Sequence, residues 1–306
     1  MLERGRRTST AFLRLRKRGT LRNNAGQDNM QARNTISSSI LFIVAFSIAA
    51  AQPPEDCPRQ GTYGNDAAAS RRVVVNGISL YYEAYGQGSP LLLIHGNGGS
   101  IDRVRCQLAY FAKTRRVIAV DSRTHGRSDN GPAPLKYEQI ADDLAELVRA
   151  LGFDRIDVLG HSDGGNVALL LAIRHPSIIG KVVASSPNLT PDAVLSTEME
   201  NPRKQLALAM EKIAVGDTSQ DWKRLQMQKE MVVTEPHITV AALHTIAAPV
   251  LVMGGDNDAM PVSHFVEIAK AIPEGQLAVL PGANHGMHQN QHDLYNAIAN
   301  RFLQAR

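Results

Sequence analysis

The stretch Gly160-His161-Ser162-Asp163-Gly164-Gly165 decides how this chain folds. Before it, the apolar run 156–159 predicts a buried strand, and after it residues 166–174 predict a helix packed on that strand. A serine between two glycines at such a strand-to-helix turn is typical of a nucleophile elbow, where the turn strains the serine backbone. We therefore expect glycine at positions 160 and 164, because a Cβ at either would clash.

Outward from this turn, predicted strands alternate with predicted helices. Asn76-Gly77 between two apolar runs predicts a β-hairpin. Later strands are predicted at Pro90–Ile94, Val117–Asp121, Ile156–Leu159, Lys181–Ser185, Pro249–Gly254 and Gln276–Leu280. Their near-continuous apolar character indicates an α/β fold with a mostly parallel sheet and helices on both faces.

One interval between two late strands is longer than a crossover helix requires. Residues 189–247 contain two helical stretches and predict a small helical cap or lid, inserted after the sixth strand. Residues 72–188 and 248–306 then form the core. Met227 and Met231 are either lining of a pocket under the cap or ordinary helix packing.

The net positive charge of the chain comes from its first 33 residues. The net charge is +4, yet residues 1–33 hold nine Lys/Arg and two Asp/Glu. The remaining 24 basic and 27 acidic residues give the rest of the chain a net charge of −3. This distribution excludes nucleic acid as a partner, since a nucleic-acid-binding domain needs a basic surface.

The start of the chain has the features of a targeting segment. Residues 40–51 form an apolar run of 12 residues, too short to span a membrane comfortably. With basic residues before it and small residues at its end, the pattern predicts a signal peptide near residues 30–51, cleaved near Ala51. Residues 1–51 are then a leader and 52–71 a linker. We expect a secreted or periplasmic protein without stable membrane insertion; the alternative is an uncleaved membrane anchor.

Two cysteines, Cys57 and Cys106, are compatible with one disulfide or with two free thiols. Their number excludes a zinc site built from cysteine. His285, His288 and His292 are spaced closely, but no carboxylate ligand accompanies them. We therefore predict neither a metal nor a cofactor.

A serine nucleophile needs a base, and the base needs an acid that orients it. His285 follows the last predicted strand, where it would approach Ser162 across the top of the sheet. The acid should follow the preceding strand, which offers Asp256 and Asp258. We predict Asp258, directly before the next helix, with Asp256 holding the turn through backbone hydrogen bonds.

The developing oxyanion also needs hydrogen-bond donors. The strand ending at Ile94 runs into the glycine-rich loop His95-Gly96-Asn97-Gly98-Gly99. Backbone N–H groups in such a loop can face a developing charge without obstruction by side chains. We predict the backbone N–H groups of Asn97 and Asp163 as the two donors.

From about Val73 to its end, the chain resembles an α/β-hydrolase. The resemblance rests on the His95-Gly96 loop, the turn Asp121–Ser128, the Ser162 elbow, Asp258 and His285. It implies an eight-stranded sheet with a cap domain. Haloalkane dehalogenases and epoxide hydrolases of this fold have aspartate at the nucleophile position, so the serine here argues against both classes. Thr124 departs from the family, which usually has glycine there. The Ser-Asp-Gly-Gly elbow and the late Asn-His pair are also similar to hydrolases of amino-acid esters, the valacyclovirase-like group.

Together these features predict an exported serine hydrolase that cleaves a small-molecule carboxylic ester or lactone through an acyl-enzyme. Amide or peptide cleavage and carbon–carbon bond hydrolysis use the same residues and remain alternatives. A small-molecule receptor that keeps the fold without catalysis is the alternative from another class. The sequence leaves the oligomeric state open.

Overall fold

The structure, a computed structural model, describes residues 57–305. The predicted leader and its cleavage position near Ala51 lie outside the described residues. Within the described part, none of the helices is both long enough and apolar enough to cross a bilayer.

The described chain is built on one sheet of eight strands. They are β1 Ser70–Val75, β2 Ile78–Tyr85, β3 Pro90–Ile94, β4 Arg116–Asp121, β5 Ile156–His161, β6 Ile179–Ser185, β7 Val250–Asn257 and β8 Gly275–Asn284. Their spatial order is β1-β2-β4-β3-β5-β6-β7-β8. Only the β1–β2 and β2–β4 pairs are antiparallel. The predicted α/β fold with a mostly parallel, eight-stranded sheet is confirmed.

Helices cover both faces of this sheet. They are α1 Arg105–Phe111, α2 Tyr137–Ala150, α3 Asp163–Arg174, α4 Ser196–Ala214, α5 Trp222–Thr234, α6 Val240–Leu243, α7 Val262–Ala271, α8 Met287–Asn290 and α9 His292–Gln304. Successive residues of β3 alternate between two cores: Leu92 and Ile94 pack with α2, α3 and α7, and Leu91 and Leu93 pack with α1 and α9. Burial on both faces is the reason that the strand reads as continuously apolar.

The cap lies between β6 and β7, as the resemblance implies. It consists mainly of α4 and α5, which pack against each other. On α5, Arg224 donates hydrogen bonds to the Gly126 and Ser128 carbonyls, and Gln228 donates to the Thr124 carbonyl at 2.6 Å. The second cap helix is therefore tied to the loop that follows β4.

The segment before β1 is more than the predicted linker. Cys57 and Cys106 form a disulfide, so the segment is joined covalently to α1. Further along, the Gly64 and Asp66 N–H groups donate to the carboxylate of Glu83, which is fully buried in β2. These contacts hold residues 57–66 against the core, because the buried carboxylate requires hydrogen-bond donors and this segment supplies two of them beside the Tyr81 and Tyr85 hydroxyls.

We expect the disulfide to stabilise the fold measurably. The bond closes a loop with a sequence separation of 49 residues, and removing such a cross-link typically costs about 2–4 kcal/mol through the entropy of the unfolded chain. The double variant Cys57→Ser, Cys106→Ser should lose this much unfolding free energy in urea titrations. The same titrations under reducing conditions should bring the wild-type protein to the stability of the variant. Equal stability of oxidised protein and double variant would show that the bond contributes nothing.

Candidate active site

Ser162 occupies a strained turn between β5 and α3. Its φ of 56° and ψ of −122° lie outside the regions that non-glycine residues ordinarily adopt. The turn is enforced by close packing, because a Cβ on Gly160 would lie 1.9 Å from the Gly164 carbonyl oxygen. A Cβ on Gly164 would in turn lie 2.3 Å from the Ile94 carbonyl oxygen. Both positions therefore require glycine, as the sequence predicts.

The structure brings together Ser162, His285 and Asp258. His285 follows β8 directly, and its Nε2 lies 2.9 Å from Ser162 Oγ. Its Nδ1 lies 2.7 Å from Asp258 Oδ1. In this arrangement Nδ1–H donates to the carboxylate, which leaves Nε2 to accept the serine proton. The three side chains thus form one continuous chain of hydrogen bonds.

Asp258 is held ionised by its surroundings. Its side chain is inaccessible to solvent, and it accepts hydrogen bonds from Ser186 Oγ at 2.7 Å, Gly255 N at 3.1 Å and Ala259 N at 2.7 Å. Burial alone would raise the pKa of this carboxyl, but the bonds from His285, Ser186 and Gly255 outweigh it and hold the pKa below its ordinary value.

Asp256 lies apart from this chain of hydrogen bonds. It is exposed, and its carboxylate accepts a bond from the Asn257 side-chain amide at 2.9 Å. The prediction that Asp256 holds the turn through backbone bonds is wrong, since Gly255 and Ala259 donate to Asp258 instead. One carboxylate therefore both fixes the turn and faces the histidine.

The loop after β3 packs against the serine. A Cβ on Gly96 would lie 3.0 Å from Ser162 Cβ, so the two backbones approach closely. Buried His95 fixes the loop, because its Nδ1 bonds to the Gly96 carbonyl at 2.8 Å and its Nε2 accepts from Ser122 N at 3.1 Å. In residues 57–305 no hydrogen bond uses the backbone N–H of Asn97 or of Asp163. Both groups that the sequence predicts as oxyanion donors are unengaged.

The side chain of Asn97 ties this loop to the elbow and to the cap. Its Nδ2 donates to Asp163 Oδ2 and to the Gln228 carbonyl, each at 3.0 Å. Its Oδ1 accepts from Lys229 Nζ at 2.7 Å. Because all of these bonds are made at once, the Asn97 side chain has a single orientation. The two predicted donor residues are thereby linked to each other and to α5.

Two further buried histidines adjoin His285. The His161 ring lies 5.0 Å from the His285 ring and 3.7 Å from that of His288, centre to centre. Burial lowers the pKa of His288 to about 3, with a contribution from the neighbouring His285. Burial also holds the pKa of His161 well below its ordinary value, with contributions from both neighbours. These rings stay neutral at ordinary pH and give His285 a neutral wall.

A cavity of about 530 Å³ opens above Ser162. The core contributes the loop 96–99 and His285 to its lining, and the cap contributes Met199, Pro202, Lys229 and Val232. Met227 and Met231 pack into the hydrophobic core instead, so the packing interpretation of these residues applies. The cap thus forms one wall of the site with side chains that sequence reasoning does not single out.

Sequence reasoning misses Ser186, Gln228 and Lys229. Ser186 follows β6 at a φ of 50°, and a serine after a strand gives no distinguishing signal. Gln228 and Lys229 lie on a cap helix whose docking on the core depends on tertiary contacts. The register of α5 against the loop after β3 cannot be inferred from either segment alone.

Comparison with known proteins gives a consistent result. Residues 89–237 match the family model described as alpha/beta hydrolase fold. Human Serine hydrolase BPHL is 29% identical over 279 residues, which cover 84% of this chain and 94% of the relative. The 2-hydroxymuconate semialdehyde hydrolase of a Pseudomonas species is 35% identical over 124 residues, covering 39% of this chain and 44% of that protein. The enol-lactonase from Burkholderia xenovorans has a similar structure, with a TM-score of 0.65 at 23% identity, covering 77% of this chain and 100% of the other.

Asp256, near the end of β7, and Asp258, directly after it, provide a test of the site geometry. Asp258→Asn should slow the labelling of Ser162 by a fluorophosphonate by about 10³-fold or more, because an amide no longer holds the imidazole in the required tautomer. Asp256→Asn is the matched control and should label at the wild-type rate, as its carboxylate is exposed. The rate is measured by intact-protein mass spectrometry. A larger loss in Asp256→Asn than in Asp258→Asn would contradict the assignment.

Proposed function

Since the chain belongs to the α/β-hydrolase fold family, and hydrolases are among its relatives, we propose that it is a serine hydrolase that cleaves a small carboxylic ester or lactone through an acyl-enzyme. The observation that carries this proposal is the hydrogen-bonded chain from Ser162 through His285 to Asp258, with distances of 2.9 and 2.7 Å. A serine hydroxyl becomes nucleophilic at neutral pH only when a base can take its proton. His285 is within reach of that proton.

In the proposed acylation step, Ser162 Oγ attacks the substrate carbonyl carbon while its proton passes to His285 Nε2. The imidazolium that forms is stabilised by Asp258, which stays ionised because of its own hydrogen bonds. His285 then donates the proton to the leaving oxygen, and the carbonyl–oxygen bond of the ester breaks. The alcohol leaves, or stays attached when the substrate is a lactone.

The negative charge of the tetrahedral intermediate requires two donors beside the carbonyl oxygen. The N–H groups of Asn97 and Asp163 are candidates because both belong to backbone packed against Ser162 and neither has another partner in the described chain. Asp163 also begins α3, so its N–H lies at the positive end of a helix of 12 residues. A donor of this kind is typically worth about 3 kcal/mol in the transition state.

Water completes the proposed cycle. It attacks the acyl carbon as His285 Nε2 accepts its proton, and Ser162 leaves when that proton is returned. A side-chain exposure of 38% gives His285 access to the cavity and its solvent. The cavity volume of about 530 Å³ is in the range of small-molecule sites and supports a substrate of that size.

Loss of the nucleophile or of the base separates catalysis from mere binding. Ser162→Ala and His285→Ala should each lower kcat/KM for p-nitrophenyl acetate by about 10³-fold or more, and labelling by a fluorophosphonate should vanish in both. His237→Ala, which removes an exposed histidine of the cap, is the control and should retain both readouts. Equal slow release of nitrophenol by all four proteins would mean that the fold serves as a receptor or binder.

We propose further that the protein is exported. The apolar run 40–51 is typical of a signal peptide. The disulfide between Cys57 and Cys106 supports an oxidising compartment, since such bonds are rare in reducing cytosol.

Export has a simple test in a bacterial host with a periplasm. The full chain should accumulate outside the cytoplasm with its new N-terminus near residue 52, as read by mass spectrometry of the N-terminal peptide. The double variant Ala49→Arg, Ala51→Arg should block cleavage, because it removes the small residues that define the cleavage site. A cytoplasmic protein with an intact leader would contradict the proposal.

A further inference from the structure

Lys229 is a half-buried cation on the wall of the cavity without an acidic partner. Its Nζ donates to Asn97 Oδ1 at 2.7 Å, which uses one of its three N–H groups. No carboxylate of residues 57–305 lies within 4.0 Å of it, whereas Lys136, Lys204 and Lys212 each have one. Burial lowers the pKa of Lys229, and the charge of Asp163 partly opposes this effect. An ammonium in this position is stabilised by any anion that enters the cavity.

The nearest acidic group does not fill this role. Asp163 is buried and already accepts from Asn97 Nδ2 at 3.0 Å, so the Asn97 amide stands between it and Lys229. Of the other charged groups lining the cavity, Glu198 and Arg103 are exposed. His125, which feels the charge of Lys229, is buried, and burial lowers its pKa to about 3, so it stays neutral. Lys229 is therefore a cation of the cavity wall that lacks a carboxylate partner and lies beside Asn97, one of the predicted oxyanion donors.

The position of Lys229 relative to the reacting groups indicates which part of a substrate it would meet. The leaving group must lie beside His285, which protonates it, and the rings of His161 and His288 adjoin that side. Lys229 instead lies against the loop 96–99: its Nζ donates to Asn97 Oδ1 and would be 3.3 Å from a Cβ on Gly98. Because the acyl chain extends away from the leaving group at His285, it is the part of the substrate that we place beside Lys229.

We propose that Lys229 forms an anion subsite and that the preferred substrates carry a carboxylate on the acyl chain. This inference rests on the proposed ester or lactone hydrolysis at Ser162. The carboxylate accepts charge-assisted hydrogen bonds from the N–H groups of Nζ that Asn97 leaves unused, and these bonds are strong where water is partly excluded. An acyl chain ending in an ammonium is disfavoured at the same place, because two positive charges would meet there.

Three methyl esters of matched length test the subsite. Monomethyl glutarate, methyl pentanoate and methyl 4-aminobutanoate differ in the terminal group of the acyl chain, which is anionic, neutral or cationic. Their hydrolysis at pH 7.5 is followed by alkali titration. We expect kcat/KM for the glutarate ester to exceed that for methyl pentanoate by about tenfold or more, with the cationic ester lowest.

Substitutions of Lys229 identify the source of this preference. Lys229→Met should bring the ratio of kcat/KM for the glutarate ester to that for methyl pentanoate close to one, whereas Lys229→Arg should keep the preference. Lys223→Met is the matched control, because it removes an exposed lysine of the same helix, and it should leave the ratio unchanged. If Lys229 serves only to position Asn97, its loss slows both esters equally and the ratio stays as in the wild-type protein; that result overturns the subsite.

A binding measurement keeps this test separate from the chemistry. Calorimetry with Ser162→Ala should show binding of monomethyl glutarate that weakens by about tenfold or more when Lys229→Met is added. Equal binding by the two proteins overturns the subsite even if esters are cleaved. Conversely, lysine-dependent binding without Ser162-dependent hydrolysis of any ester would overturn the proposed function and leave an anion-binding cavity.

Discussion

The close approach of two backbones, at the end of β3 and the start of α3, determines where the nucleophile and the predicted oxyanion donors lie. Gly164 rests against the Ile94 carbonyl at a distance that leaves no space for a side chain. This contact sets the start of α3 beside the glycine-rich loop and turns Ser162 to a φ of 56°. Strained backbone of this kind costs about 1–3 kcal/mol and persists only where the surrounding packing enforces it.

The parallel sheet supplies the rest of the arrangement. Because the carboxyl ends of β5, β7 and β8 lie at one edge, Ser162, Asp258 and His285 meet there although they are far apart in sequence. Asp258 accepts bonds from its own turn as well as from the histidine, so the fold of that turn and the orientation of the imidazole depend on the same carboxylate.

Much of this arrangement can be predicted from the sequence, since it depends on local signals. The apolar strands specify the sheet. The glycines of the elbow identify Ser162, and the loops directly after the last two strands identify Asp258 and His285. The sequence does not specify the contacts between distant segments. The hydrogen bond from Ser186 to Asp258 joins the ends of two neighbouring strands, and the bonds of Gln228 and Lys229 to Asn97 form only when the cap docks. The position of the segment before β1 is likewise not predictable, because its small polar residues give no sign that they bond to the buried Glu83.

The proposed function depends on one step, the acylation of Ser162 during turnover. Rapid-quench mass spectrometry of the wild-type protein mixed with an excess of p-nitrophenyl butyrate tests it directly. We expect a transient population heavier by one butyryl group, with the added mass on the peptide that contains Ser162, and a burst of nitrophenol equal to that population. Release of nitrophenol at a steady rate with the adduct on another residue would contradict it.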